Sequence, residues 1–197
     1  MVNYGIQRGG MHMAATTRLA RVRPLHDYEI EEARRVFADR LNYARVRVHE
    51  YAPWPDAIHR FGRRIRRLPP PPANEHNAIT LGFGCYFPIS LPEAFTSPDD
   101  PFGMSWLIHE LTHAWQFQHM GWLYLLRALL AQLGPNPYNF GGLDGLRTAR
   151  DNGATFLSFN PEQQGDITRL YYIRLRKGQD VSVCRPYIAD LQRIGSG

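Results

Sequence analysis

The sequence predicts an α+β fold in which a small sheet packs beside one long helix and a later helix closes on the same face. Three observations carry that expectation. Apolar residues recur at helical spacing after residues 27, 102 and 161. Two β-prone segments, near 43–49 and 78–89, come before the long helix. The length, 197 residues, suits one domain and can bury a sizeable core.

The elements follow in order. Residues 1–24 are polar, contain glycine and lack periodicity, so they read as an N-terminal extension to a single domain over 25–197. Asp27 can cap a helix to about Leu41, with Ile30, Ala33, Val36, Phe37 and Leu41 on one face. From Tyr43 to His49, Ala44, Val46 and Val48 alternate with Arg45, Arg47 and His49, the pattern of a half-buried strand. Residues 53–77, rich in Pro and Arg, read as an exposed connection. Ala78 to Ile89 is apolar and reads as a strand, although Gly82 and Gly84 interrupt it. A helix then runs from Phe102 or Gly103 to Met120, with Met104, Leu107, Ile108, Leu111 and Trp115 on its apolar face. Trp122 to Leu133 reads as a further apolar helix and 134–153 as a glycine-rich loop. Asn160 as N-cap and Pro161 in the first turn start another helix, which Gly178 ends. A short helix over 185–194 is last.

Composition excludes several classes. Hydrophobic content of 44% and charged content of 21% fit an ordinary globular domain rather than a disordered chain. No run reaches the roughly 18 apolar residues of a membrane span; the best, 121–133, carries Arg127. No apolar run with a small-residue cleavage site follows Met1, so no classical secretory signal is expected. Cys85 and Cys184 make no metal-binding pair and read as buried free thiols, with a single disulfide as the alternative. The net charge of +5 is almost all arginine and is densest at 59–67. No nucleic-acid motif accompanies it, so a solvated basic segment is expected and no nucleic-acid partner.

The chemistry is concentrated in Leu107–Ile–His–Glu–Leu–Thr–His–Ala–Trp–Gln116. His109 and His113 are four residues apart, so on a helix they leave one face a turn apart and can share one zinc ion. Glu110 is turned about 100° from His109. It can serve as a base toward water at the open coordination position rather than as a ligand. His119 stands where metzincins place a third histidine, but Gln116 replaces the glycine that would turn the chain back, and no methionine follows Met120. Glu162 and Asp166, four apart in Asn160–Pro–Glu–Gln–Gln–Gly–Asp166, match the third-ligand helix of gluzincins better. Glu162 would bind zinc and Asp166 would orient a ligating histidine, with exchanged roles or simple dipole-favouring acids as alternatives. Tyr138, Tyr171, Tyr172 and Arg169 are candidates to bind substrate or an oxyanion. Packing is the favoured reading for each tyrosine, and an ion pair with Asp166 for Arg169.

These blocks resemble the zincin-like metallopeptidase domain of extracellular contractile injection systems, which is also attached to type VI secretion spike (VgrG) and Rhs proteins. LIHELTHAWQFQ carries the resemblance most specifically, FNPEQQGDITRLYY less so and EARRVFADRLNYARVRV loosely, over about Leu25 to Tyr172. It implies a gluzincin-type zincin fold, zinc on His109, His113 and Glu162, Glu110 as base, and a toxin exported by a specialised secretion system. A protein or peptide substrate, a spike and an immunity protein would be its partners. The expected activity is peptide-bond hydrolysis. A zinc amide hydrolase acting on peptidoglycan and a non-catalytic binding module are the alternatives.

Overall fold

The computed structural model describes residues 20–65, 69–70, 72, 76–91, 101–122 and 139–194. The apolar helix expected at 122–133 and Tyr138 fall outside them, apart from Trp122. The architecture is α+β. Strands β1 (Arg21–Arg23), β2 (Arg47–Glu50), β3 (Ile79–Leu81) and β4 (Gly84–Tyr86) form one mixed sheet in the order β1-β2-β4-β3. β1 lies antiparallel to β2, β2 parallel to β4, and β4 antiparallel to β3. The helices are α1 (Asp27–Phe37), α2 (Trp54–Ile65), α3 (Pro101–Met120), α4 (Gly142–Asp151), α5 (Pro161–Arg176) and α6 (Arg185–Arg193).

α3 is the centre of the molecule. It packs most extensively on α5, with β3, β4 and α1 also against it. Leu107, Ile108, Leu111 and Trp115 are fully buried in one core with Val36 and Phe37 of α1, Val48 and Cys85 of the sheet, and Ile167 of α5. A helix enclosed on nearly every side must satisfy its polar residues internally. α5 begins as its sequence dictates: the Asn160 side chain accepts from the Gln163 N–H at 2.9 Å, and Pro161 takes the first turn, where no N–H is needed. Both cysteines are free and buried.

Several expectations need correction. Ala78 to Ile89 is not one strand but the hairpin β3–β4, because Gly82 takes φ +64° and lets the chain reverse. Residues 54–65, read as a loop, form α2; Pro55 stands in the first turn, where proline does not break a helix. Residues 142–151, also read as a loop, form α4 behind Gly141 at φ +80°, with Leu146 buried. The strand expected from Tyr43 begins instead at Arg47, after a 3-10 turn over Tyr43–Arg45. The first helix stops at Phe37 rather than Leu41, with Ala38 at φ 48°. Arg21–Arg23, assigned to the extension, is a strand with a structural charge. Arg23 is buried and bonds Glu29 at 2.7 and 2.8 Å and Glu50 at 3.1 Å, so it offsets two carboxylates that are fully buried.

Candidate metal centre

His109, Glu110 and His113 lie on α3, Glu162 and Asp166 on α5, and the packing of the two helices brings all five together. His109, His113 and Glu162 are buried and could hold a metal ion. Their facing atoms form a near-equilateral triangle. His109 Nε2 is 3.2 Å from His113 Nε2, Glu162 Oε2 is 3.4 Å from His109 Nε2, and 3.6 Å separates it from His113 Nε2. A point equidistant from the three lies roughly 2.0 Å from each, the length of a zinc–imidazole bond, about 2.0–2.1 Å.

The outer partners decide which nitrogens carry lone pairs. His109 Nδ1 is 3.1 Å from Asp166 Oδ1, so it donates its N–H to that carboxylate. His113 Nδ1 is 2.8 Å from Gln116 Oε1. With both Nδ1 atoms as donors, both neutral rings turn the lone pair of Nε2 inward, beside the Glu162 carboxylate. Three acceptors converging on one point repel each other unless a proton or a cation sits between them, so the donor set fits a metal of the imidazole-binding class.

Electrostatics favour positive charge at that point. Burial lowers the His109 pKa, but Asp166 and Glu162 outweigh it and push it up to about 10. Burial also works against protonated His113, and Glu162 again reverses the direction. Burial alone would raise the Glu162 carboxyl; the charges of His113 and His109 and their hydrogen bonds hold it well below the usual carboxylate range. Metal therefore competes with protons for these imidazoles, and affinity falls as pH falls.

Glu110 is buried beside this triangle but outside it. Its Oε2 accepts from Thr80 Oγ1 at 2.8 Å, so a residue of the edge strand β3 fixes the carboxylate. His119 is directed elsewhere, as the unbroken run of α3 through Gln116 requires. Its Nε2 is 3.1 Å from the Arg40 carbonyl and its ring 4.8 Å from that of Trp115. Tyr172, read as a substrate or oxyanion group, instead donates to Glu32 Oε2 at 2.7 Å. It stands ten residues past Glu162, about 15 Å along the helix axis. Tyr171 is buried in the core. Among the described residues no ion pair joins Arg169 to Asp166, whose Oδ1 faces His109.

Thr80, Gln164 and Gly165 were not foreseen. Thr80 and Gln164 left no sequence signal, since a hydroxyl on a strand and an amide on a helix are commonplace. Gly165 did leave one, because a glycine inside a helix costs about 1 kcal/mol relative to alanine and so implies close approach. A Cβ there would lie 2.7 Å from His109 Cε1 and 2.8 Å from Nδ1. The ring cannot retreat without breaking its bond to Asp166. Gly165→Ala should therefore weaken metal binding by about 10- to 100-fold, as the loss of an outer partner does, even though helix propensity alone favours alanine. Chelator competition and thermal melts of the metal-free protein check this. Unchanged affinity with a raised Tm would show that the helices part freely.

The chain is similar to the type VI secretion system spike protein VgrG2b of Pseudomonas aeruginosa (strain PAO1), with 25% identity over 185 residues. The alignment covers 89% of this chain but 15% of that protein, so the chain spans a small part of its relative's length. No protein-family model matches the chain, and no solved structure matches it. Among the described residues no helix is long and apolar enough to cross a membrane.

Proposed function

We propose that this protein is a zinc-dependent metallopeptidase of zincin type, acting as an effector carried by a type VI secretion spike. The observation that supports it most is the convergence of three lone-pair atoms from His109, His113 and Glu162 beside the buried Glu110 carboxylate. Two imidazoles, one carboxylate and an open position are the donor set of a catalytic zinc site. Zinc held there would supply a Lewis acid that polarises the scissile carbonyl and lowers the pKa of a water molecule.

The remaining work falls to the chain. Thr80 occupies Glu110 Oε2, which leaves Oε1 to take a proton from the attacking water and pass it to the leaving amine. Asp166 keeps the His109 ring oriented while charge develops. β3 is the sheet edge nearest Glu110, and an extended peptide can pair with it so that its scissile bond lies over α3. The likeness to a spike protein supports delivery by that route.

The test is metal analysis of the purified chain, followed by incubation of the zinc-loaded protein with casein and with peptidoglycan fragments. About one zinc per chain and cleavage of casein are expected. Cleavage of peptidoglycan alone would replace the peptidase with a cell-wall amidase, and a zinc-loaded chain that cuts neither would be a binding module.

A further inference from the structure

We propose that Gln116 is a positioning residue for the metal centre: it holds His113 as its Nδ1–H tautomer and ties the helix of the two imidazoles to the helix of Glu162. This rests on the metal-site reading above. Gln116 is fully buried, one turn beyond His113 on α3. Its amide Nε2 donates twice, to the Pro161 carbonyl at 3.0 Å and to Gln164 Oε1 at 2.9 Å. Both partners are acceptors, so they admit only the NH₂ end and turn the Gln116 oxygen toward His113 Nδ1 at 2.8 Å.

Gln164 is fixed in the same way. Its own Nε2 donates to the Phe159 carbonyl at 2.7 Å, which leaves its oxygen for Gln116. A directional chain thus runs from a backbone carbonyl through two amides to one imidazole. Every member has a single compatible orientation, and the last step requires a proton on His113 Nδ1 and a lone pair on Nε2. The chain also fixes the start of α5, because Pro161 and Gln164 flank Glu162 in sequence. One side chain therefore sets the direction of one ligand and the position of another. The motif shows this position only as the place where a metzincin glycine is missing.

Two substitutions separate positioning from mere packing. Gln116→Leu keeps the volume and removes all three hydrogen bonds. Gln116→Glu loses both donors but keeps an acceptor for the His113 Nδ1 proton. Zinc affinity is read by chelator competition, and the His113 Nδ1–H is followed in ¹⁵N spectra of the zinc-loaded protein. Gln116→Leu should bind zinc about 10- to 100-fold more weakly, as outer partners of ligating histidines do, and should lose the protected Nδ1–H signal. Gln116→Glu should recover the Nδ1–H signal but only part of the affinity, because its second oxygen meets the Pro161 carbonyl and Gln164 Oε1, both acceptors, and the tie to α5 is lost. Wild-type affinity in Gln116→Leu, or equal losses in the two variants, would overturn the proposal. If Gln116→Leu does not fold, Gln116→Met takes its place: it also lacks the acceptor and both donors, the same loss of affinity and signal is expected, and wild-type affinity would overturn the proposal. A wild-type chain that takes up no zinc would instead remove the metal reading itself, an outcome visible before any variant is compared.

Discussion

Glu110→Gln should leave zinc in place and cut peptide hydrolysis by about 10²- to 10⁴-fold, the usual contribution of a positioned general base. Glutamine matches the shape of the buried side chain, and its amide oxygen can still accept from Thr80 Oγ1, now 2.8 Å from Glu110 Oε2. The variant therefore removes the proton acceptor without opening a cavity beside α3. The helix turns about 100° between His109 and Glu110, which keeps the carboxylate outside the triangle of ligand atoms. Zinc content and turnover should be measured on the same preparation. Loss of zinc would make Glu110 a ligand, and full turnover would move the base elsewhere.

Glu162→Ala should weaken zinc binding more than any other single change, by more than the 100-fold that bounds the loss of an outer partner. Glu162 is the only anion among the three facing atoms, and its Oε2 lies 3.4 and 3.6 Å from the two imidazole nitrogens. Without it those nitrogens face each other at 3.2 Å with no carboxylate closing the triangle, and the coordination shell opens. Asp166→Ala should cost about 10- to 100-fold, because it only orients His109. His119→Ala should change affinity little, since its ring is turned to the Arg40 carbonyl. Chelator competition on the three variants ranks them. If His119→Ala proved the worst, the metzincin arrangement would hold; if Asp166→Ala exceeded Glu162→Ala, those two residues would exchange roles.

Helices were legible where an apolar face and a cap coincided: α1, α3, α5 and α6 begin within about two residues of their expected starts. α2 and α4 were not, because prolines and glycines were read as breakers without regard to their place in the first turn. The hairpin was missed because an apolar run hides a reversal that Gly82 alone makes possible. The partner of Tyr172 was not legible for a different reason: Glu32 is 140 residues earlier in the chain, beyond any helical period.

The sequence by itself determined the local chemistry: two imidazoles one turn apart, a carboxylate turned away from them, and a second acidic pair spaced for one helix face. Those relations follow from the repeat of the α-helix and need no knowledge of what lies across the core. Tertiary structure decided the rest. Asp166 meets His109 across 57 residues, Gln164 meets Gln116 across 48, and Thr80 reaches Glu110 across 30. Hydrogen bonds of this kind hold only within about 3 Å and at the right angle. Which acceptor a given N–H finds is therefore fixed only once α3, α5 and the edge strand have packed.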